Sequence, residues 1–430
     1  MSDARRILSL AGSAFVVLAA EPLFLLVDTA VVGHLGRVPL AALGAAGTLM
    51  AVLALVGTSL EYGTTGRAAR WFGAGDRAAA LDEGVQASWL AVVVGGVAVV
   101  AGELLATPVM RLVAHDPSVS RAAADWLRIA VLGLPFLLLV LAGNGWMRGV
   151  QDTRSPVRII LLANALSAAA SPVLVFPVGL GLRGSAVANV LAQVVGALLC
   201  LRLLRTSAPS ARPRFDVMRR QLVVSRDLVV RSAAFYSSGA VAAGVAGRMG
   251  AGQLAAHQVG TQLWLFSALV LDSFAIAAQS LVGAALGGAR ADEARQVAWR
   301  VARFGLWSGI VMAALTAVGV SVVPALFSAD AEVRHQAHLL WPWLVALMPV
   351  GGIVFAWDGV LLGAGDNAFM RSITLLGALG GFVPLSLLSL SQGWGIGGVW
   401  AGLFAFIAIR FVGMALRIRG GRWVVVGNPL

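Results

Sequence analysis

Apolar residues along this chain come in long, nearly unbroken runs, separated by short stretches rich in Arg, Gly, Asp and Pro. A helix needs roughly twenty mainly apolar residues to cross a bilayer. The pattern predicts twelve such helices, over 8–33, 40–66, 84–106, 121–147, 156–177, 183–205, 222–246, 254–280, 298–324, 335–361, 370–391 and 397–419. Strand-like alternation is absent, so the fold class expected is an all-α polytopic membrane protein.

The second six runs begin 214 residues after the first six. The same shift works residue by residue without a gap. Gly33, Gly36, Gly73, Gly95, Gly145, Gly149, Gly179, Gly181 and Gly184 all land on glycine, and Pro135, Asp116 and Asp152 land on Pro349, Asp330 and Asp366. Chance placement of 51 glycines would give roughly three coincidences, so the chain is an internal duplication. An even number of spans per copy lets both copies enter the membrane from one side, which predicts two six-helix bundles related by a pseudo-two-fold axis along the membrane normal. The expected organisation is an amino-terminal lobe over 1–205, a linker over 206–221, and a carboxy-terminal lobe over 222–430.

Composition sharpens this picture. Of 430 residues 59% are hydrophobic and only 12% charged, and the 32 basic residues are all Arg. The net charge of +12 does not call for nucleic acid, because the arginines alternate with apolar runs instead of forming one patch. With the N-terminus inside, 24 Arg fall to the cytoplasmic side and six outside, with two (Arg128 and Arg231) within spans. The positive-inside rule then makes both termini cytoplasmic and predicts a multi-pass protein of the plasma (inner) membrane. The first apolar run is too long for a signal-peptide core and lacks a cleavage site. A single cysteine, Cys200, excludes an internal disulfide, and the five scattered histidines suggest no metal site.

The polar residues inside the runs are the candidates for chemistry. An ionised side chain at mid-span costs about 2.5–3.5 kcal/mol on insertion scales, so it is expected to face a cavity or a partner. Glu21 and Asp28 lie seven residues apart, near two turns, and so share a helix face. Burial makes protonation of such acids accessible near neutral pH. Pro22 between them removes one helical hydrogen bond and marks a bend or hinge. In the carboxy lobe Arg231 and Asp272 occupy adjacent spans and are expected to neutralise each other. Asp358, the repeat partner of Asn144, lies near the cytoplasmic end of its span, so an interfacial acid and a member of a carboxy-lobe polar site are both open readings; Glu61 and Glu103 lie nearer span ends still and are expected at the interface. Trp71, Trp341 and Trp343 near span ends suggest interface anchors.

The stretches "LVDTAVVGHLG", "LAALGAAGT", "TTGRAARWFGAGD", "GWMRGVQDTRSP", "RMGAGQLAAHQVGTQLWLFSALVLDSFAIAAQSLVGAALG" and "WDGVLLGAGD" resemble the multidrug and toxic compound extrusion (MATE) transporters, in particular their DinF-like branch. The resemblance covers essentially all twelve spans. It implies two six-helix bundles around a central cleft and cation-coupled export of small cationic or lipophilic compounds across the bilayer. The fifth span departs from the family pattern: "NALSAAASPVLVF" keeps Asn164 but has Ser167 and Ser171 where relatives carry a second Asn and an Asp. The amino-lobe cation site implied by the resemblance therefore keeps Asp28 and Asn164, and Glu21 joins them as a candidate by its shared helix face with Asp28. Proton coupling is expected over Na⁺, because a Na⁺ site wants several convergent oxygen ligands. The carboxy-lobe candidates are Asp272, Arg231 and Asp358.

No cofactor is expected, and the transporter is expected to work as a monomer. A lipid-linked saccharide flippase of the same superfamily is the alternative function; its basic cavity contrasts with the mainly acidic intramembrane charges here. An enzyme is disfavoured, since no nucleophile–base or metal constellation stands out and a phosphate loop ending in G-K-[ST] is impossible without Lys.

Overall fold

A computed structural model describes residues 3–114, 116–205 and 212–427. Most of the predicted linker, 206–211, lies outside them. Twelve helical spans appear in the order expected, most of them longer than the apolar runs that announced them. They are α1 (Asp3–Gly33), α2 (Arg37–Gly73), α3 (Arg77–Val113), α4 (Pro117–Leu132 and Leu134–Gly149), α5 (Ser155–Val175) and α6 (Leu182–Arg205). Their counterparts are α7 (Phe215–Met249), α8 (Ala251–Gly287), α9 (Ala291–Val318), α10 (Ala331–Gly363), α11 (Asn367–Ser391) and α12 (Gly395–Arg419). No strand occurs among the described residues. Eleven of these helices are long and apolar enough to span a membrane singly, and the two halves of α4 make the twelfth, bent by 48° at Gly133.

Irregularities fall where backbone chemistry demands them. The α4 bend precedes Pro135, whose ring cannot donate to the preceding turn. In α11 a π-helical turn, Ala378–Phe382, sits just ahead of Pro384. Proline does not always break the helix, however: α1 runs unbroken through Pro22.

The chain forms two compact units. One spans Val16–Arg226; the other is built from Asp227 onward together with the chain up to Phe15. The unit boundaries therefore fall inside α1 and α7. The first turns of α1, through Ile7, Leu10 and Ala11, belong to the carboxy unit's core. The first turns of α7 belong to the amino unit, where the Gln221 amide donates to the backbone carbonyl (3.0 Å) and the carboxylate (2.9 Å) of Glu83.

Inside each unit the duplication is legible atom by atom. In the amino unit α4 packs on α2 and α3; in the carboxy unit α10 packs on α8 and α9. A Cβ on Gly145 of α4 would fall on the carbonyl oxygen of Glu61 in α2, and one on Gly359 of α10 would fall on that of Ala275 in α8. These four positions are related by the 214-residue shift, so the same close crossing is built twice from the same glycine. Such backbone-to-backbone approach is how helices associate where lipid removes the hydrophobic drive between them. Asp116 and Asp330, also repeat partners, cap α4 and α10 alike, each accepting from the amides two and three residues on. The turn joining the first two helices of each unit uses Gly36 (φ 110°) and Gly250 (φ 143°), backbone that a side chain would strain.

Candidate functional site

The polar interior differs between the units. In the amino unit Asp28 of α1 is only 4% exposed. Ser171 near the end of α5 donates its hydroxyl to Asp28 Oδ1 at 2.9 Å, and Ser185 at the start of α6 donates to Oδ2 at 3.4 Å. Ser185 in turn accepts from the indole N–H of Trp126 in α4 at 3.0 Å. One carboxylate is thus held by two hydroxyls, and four helices converge on it. The fifth-span serine that stands where relatives carry an Asp is a direct partner of Asp28, so the departure in sequence reshapes the site without dismantling it.

The other expected members are less closely gathered. Ser167 is buried one turn from Ser171, and its hydroxyl makes no hydrogen bond; the amide nitrogen of Asn164 also lacks a partner. Glu21 shares the helix face of Asp28 by spacing but is exposed where Asp28 is buried. The structure therefore buries Asp28 against two hydroxyls, with Glu21 two turns away and exposed.

At the opposite end of its helices the amino unit has a second set of buried charges. Arg67 of α2 forms a two-nitrogen ion pair with Glu83 of α3, at 2.8 and 2.5 Å, and the Trp71 indole donates to Glu83 at 3.2 Å. Arg148 of α4 reaches Glu61 of α2 at 2.6 Å. Glu61 is therefore not an interfacial acid but half of a buried pair. Glu103 does remain partly exposed, 3.9 Å from Arg128. Trp341 is likewise no interface anchor: it is buried and donates to the carbonyl of Thr316 at 2.9 Å.

The carboxy unit overturns the expected pairing. Arg231 of α7 binds Asp358 of α10 at 2.9 Å, not Asp272. Asp272 is half-buried on α8 with interactions of its own. Asp358 is 3% exposed, buried within the carboxy unit near the end of α10. Its second partner is Arg410 of α12, whose Nη2 lies 2.5 and 2.6 Å from the two carboxylate oxygens. Arg410 is wholly buried. Aromatic faces complete the cluster: the Arg410 guanidinium lies 4.9 Å from the ring centre of Phe235 and 5.6 Å from that of Phe406, and Arg231 lies 5.3 Å from Phe235. Sequence reasoning grouped Arg410 with the cytoplasmic arginines because its span ends in Arg417 and Arg419. The signal that could have separated it was the apolar stretch on both sides, "AFIAIRFVGMAL".

Among the described residues no cluster of three or more His, Cys, Asp or Glu side chains could hold a metal ion.

The chain matches the MatE family over residues 13–173 and 228–387, one match in each unit. It belongs to that family. Its relatives include Protein DETOXIFICATION 44, chloroplastic, of Arabidopsis thaliana, 31% identical over 97% of this chain and 83% of that protein. Another is DNA damage-inducible protein F of Escherichia coli, 30% identical over 94% of this chain and 90% of that protein. In fold, the chain superposes on a crystal structure of MATE in the bent conformation with a TM-score of 0.90, and on one in the straight conformation with 0.86. Each covers 97% of this chain and 96% of the other, at 18% and 20% identity. This MATE-family member is a multidrug and toxin extrusion transporter, a multi-pass membrane protein and not an enzyme.

Proposed function

We propose that the transporter is a proton-coupled antiporter that exports small cationic or lipophilic compounds by alternating access, with Asp28 as the proton carrier. The observation that carries this reading is the setting of Asp28: one buried carboxylate, held by the hydroxyls of Ser171 and Ser185. A proton needs one basic oxygen. A Na⁺ ion wants several oxygen ligands converging on it, whereas in this pocket Asp28 brings the charged oxygens and Ser171 and Ser185 add one neutral hydroxyl each. A cationic substrate and a proton compete for the same negative charge, so each displaces the other as the protein moves between two states. Glu21, exposed two turns earlier on the same face, assists by relaying protons to Asp28. Asn164 and Pro22 complete the amino-unit machinery, the first as a polar lining residue and the second as the place where α1, unbroken here, lacks one helical hydrogen bond and can bend in the other state.

The arginine bias along the chain supports cytoplasmic termini; the plasma (inner) membrane as its location and the monomer as its working unit belong to the same reading. The acid at the amino-unit site favours this reading over a lipid-linked saccharide flippase. The test is flux in proteoliposomes under an imposed pH gradient or an imposed Na⁺ gradient. A pH gradient should drive export of a cationic dye, and Asp28→Asn should abolish that flux while the protein remains folded and inserted. Export driven by Na⁺ at constant pH would contradict the proposal.

A further inference from the structure

The first turns of α1 and of α7 are docked by opposite means. Residues 212–226 lie on the amino unit, and polar groups hold them there. Gln86 of α3, wholly buried, clamps the backbone: its Nε2 donates to the Arg212 carbonyl at 3.0 Å and its Oε1 accepts from the Arg214 amide at 2.7 Å. The Arg214 guanidinium reaches Asp82 at 3.0 Å. One turn beyond Met218, which joins the amino-unit core, the Gln221 amide binds Glu83, itself held by Arg67 and Trp71.

Under the 214-residue shift, Gln221, Glu83, Arg67 and Trp71 correspond to Ile7, Val297, Leu281 and Ala285. Those four residues all lie in the hydrophobic core of the carboxy unit. The same docking position is therefore apolar in one unit and charged in the other, and undocking has different consequences. If Ile7, Leu10 and Ala11 left the carboxy core, apolar surface would meet water at a cost proportional to its area. If residues 212–226 left the amino unit, no charge would be stranded. Glu83 keeps Arg67 and Trp71, and Gln86 keeps its bond to Asp82 at 2.9 Å. The Asp82–Arg214 pair is partly exposed, and such pairs contribute little. Water can replace the remaining hydrogen bonds at small net cost. Ser225, buried in this dock, has a hydroxyl that makes no hydrogen bond and so loses none on release.

We propose that residues 212–226 are a releasable strap on the amino unit, which undocks and redocks as the transporter cycles, while the first turns of α1 stay docked on the carboxy unit throughout. The Gln86 clamp and the Gln221–Glu83 contact are the catch of this strap. Because Gln86 reads backbone groups, it grips the chain in one register and lets it return to the same place. The strap operates whichever ion drives transport, so it goes beyond the proton-coupled reading and does not depend on it.

The test is the rate at which a charged methanethiosulfonate reagent labels single-cysteine variants of the purified full-length protein in a Cys200→Ser background. Ser225→Cys and Ala11→Cys occupy repeat-related positions, one in each dock, where the native residues are 7% and 4% exposed. Labelling of a buried thiol follows the population of the open form, so Ser225→Cys should react at least about tenfold faster than Ala11→Cys. Adding Gln86→Leu, which removes the clamp, should speed labelling of Ser225→Cys further and leave Ala11→Cys unchanged. Giving the amino unit its counterpart's apolar dock, with Arg67→Leu, Trp71→Ala, Glu83→Val and Gln221→Ile together, should slow Ser225→Cys to the rate of Ala11→Cys. In proteoliposomes, under whichever gradient drives the wild type, that fourfold variant should carry ethidium at least about tenfold more slowly while still binding it. Equal labelling of Ser225→Cys and Ala11→Cys, no response to Gln86→Leu, or wild-type flux in a fourfold variant whose strap no longer opens would overturn the proposal. If the fourfold variant fails to fold, the labelling rates with and without Gln86→Leu decide the matter.

Discussion

The amino and carboxy units are one scaffold carrying two chemistries. Gly145 and Gly359 make the same close crossing, Asp116 and Asp330 make the same cap, and Gly36 and Gly250 make the same turn. Yet Asp28, Ser171, Ser185 and Trp126 correspond to Ala242, Leu385, Val399 and Leu340, while the Arg–Asp–Arg cluster corresponds to Val17, Asn144 and Gly196. What duplication kept is the geometry of backbone approach, where a single added carbon would collide. What diverged is the polar interior, where a side chain can be exchanged as long as its partners change with it. Conserved packing and divergent charge within one chain separate what the fold needs from what transport needs.

The largest test of that separation sets Asp358 against its repeat partner. Asp358→Ala strands two buried guanidinium groups, and removing one partner of a buried pair typically costs about 3–5 kcal/mol. Asn144 is also buried, but its side-chain nitrogen and oxygen make no hydrogen bond. Asn144→Ala should therefore cost little or nothing. Thermal unfolding followed by fluorescence-detected size exclusion should show Asp358→Ala with a strongly lowered midpoint and yield, and Asn144→Ala near wild type. Similar losses in the two variants would mean that the units are not chemically distinct at this position.

A second test asks whether the shared scaffold is truly shared. Gly145→Ala and Gly359→Ala each force a Cβ onto a carbonyl oxygen of the neighbouring helix. Both should destabilise, by about 1–3 kcal/mol each as overpacking does. Gly12→Ala, where the added carbon meets nothing within 4 Å, should not. A tolerant Gly145 beside an intolerant Gly359 would break the equivalence.

The smallest effect belongs to the helix caps. The Ser118 hydroxyl, together with the amides of Ser118 and Val119, holds the exposed Asp116 carboxyl below its usual range. A carboxyl with a depressed folded-state pKa contributes stability above its unfolded value, and that contribution fades as pH falls through the folded one. Asp116→Asn should lower the unfolding midpoint slightly at neutral pH, and the difference from wild type should vanish in acid. A difference that persists in acid would assign the effect to something other than the charged cap.

Much of this architecture was readable before any coordinates. Apolar runs and recurring glycines announce spans and duplication because lipid imposes length, and close crossings exclude side chains. Asp28 stood out because a lone acid in an apolar run has few benign explanations. The pairing of Arg231 was not readable. Helical spacing says which residues share a face of one helix, but not how α7, α10 and α12 are rotated toward each other, and that rotation selects Asp358 over Asp272. Arg410 was hidden by its neighbours: a basic residue two turns before Arg417 looks like part of the positive-inside flank until the intervening apolar residues are weighed. Ser171 and Ser185 as partners of Asp28 come from α5 and α6, which chain order separates from α1 by more than a hundred residues.

The central claim is that Asp28 gives up a proton when a cationic substrate binds. Its most direct measurement is proton release from purified protein in weakly buffered detergent solution, followed with a pH-sensitive dye as ethidium is added. Wild-type protein should release protons in proportion to the ethidium bound, and Asp28→Asn should release none. Glu103→Gln, which neutralises a partly exposed acid elsewhere in the same unit, should still release them. Proton release from Asp28→Asn equal to that of the wild type would contradict the account.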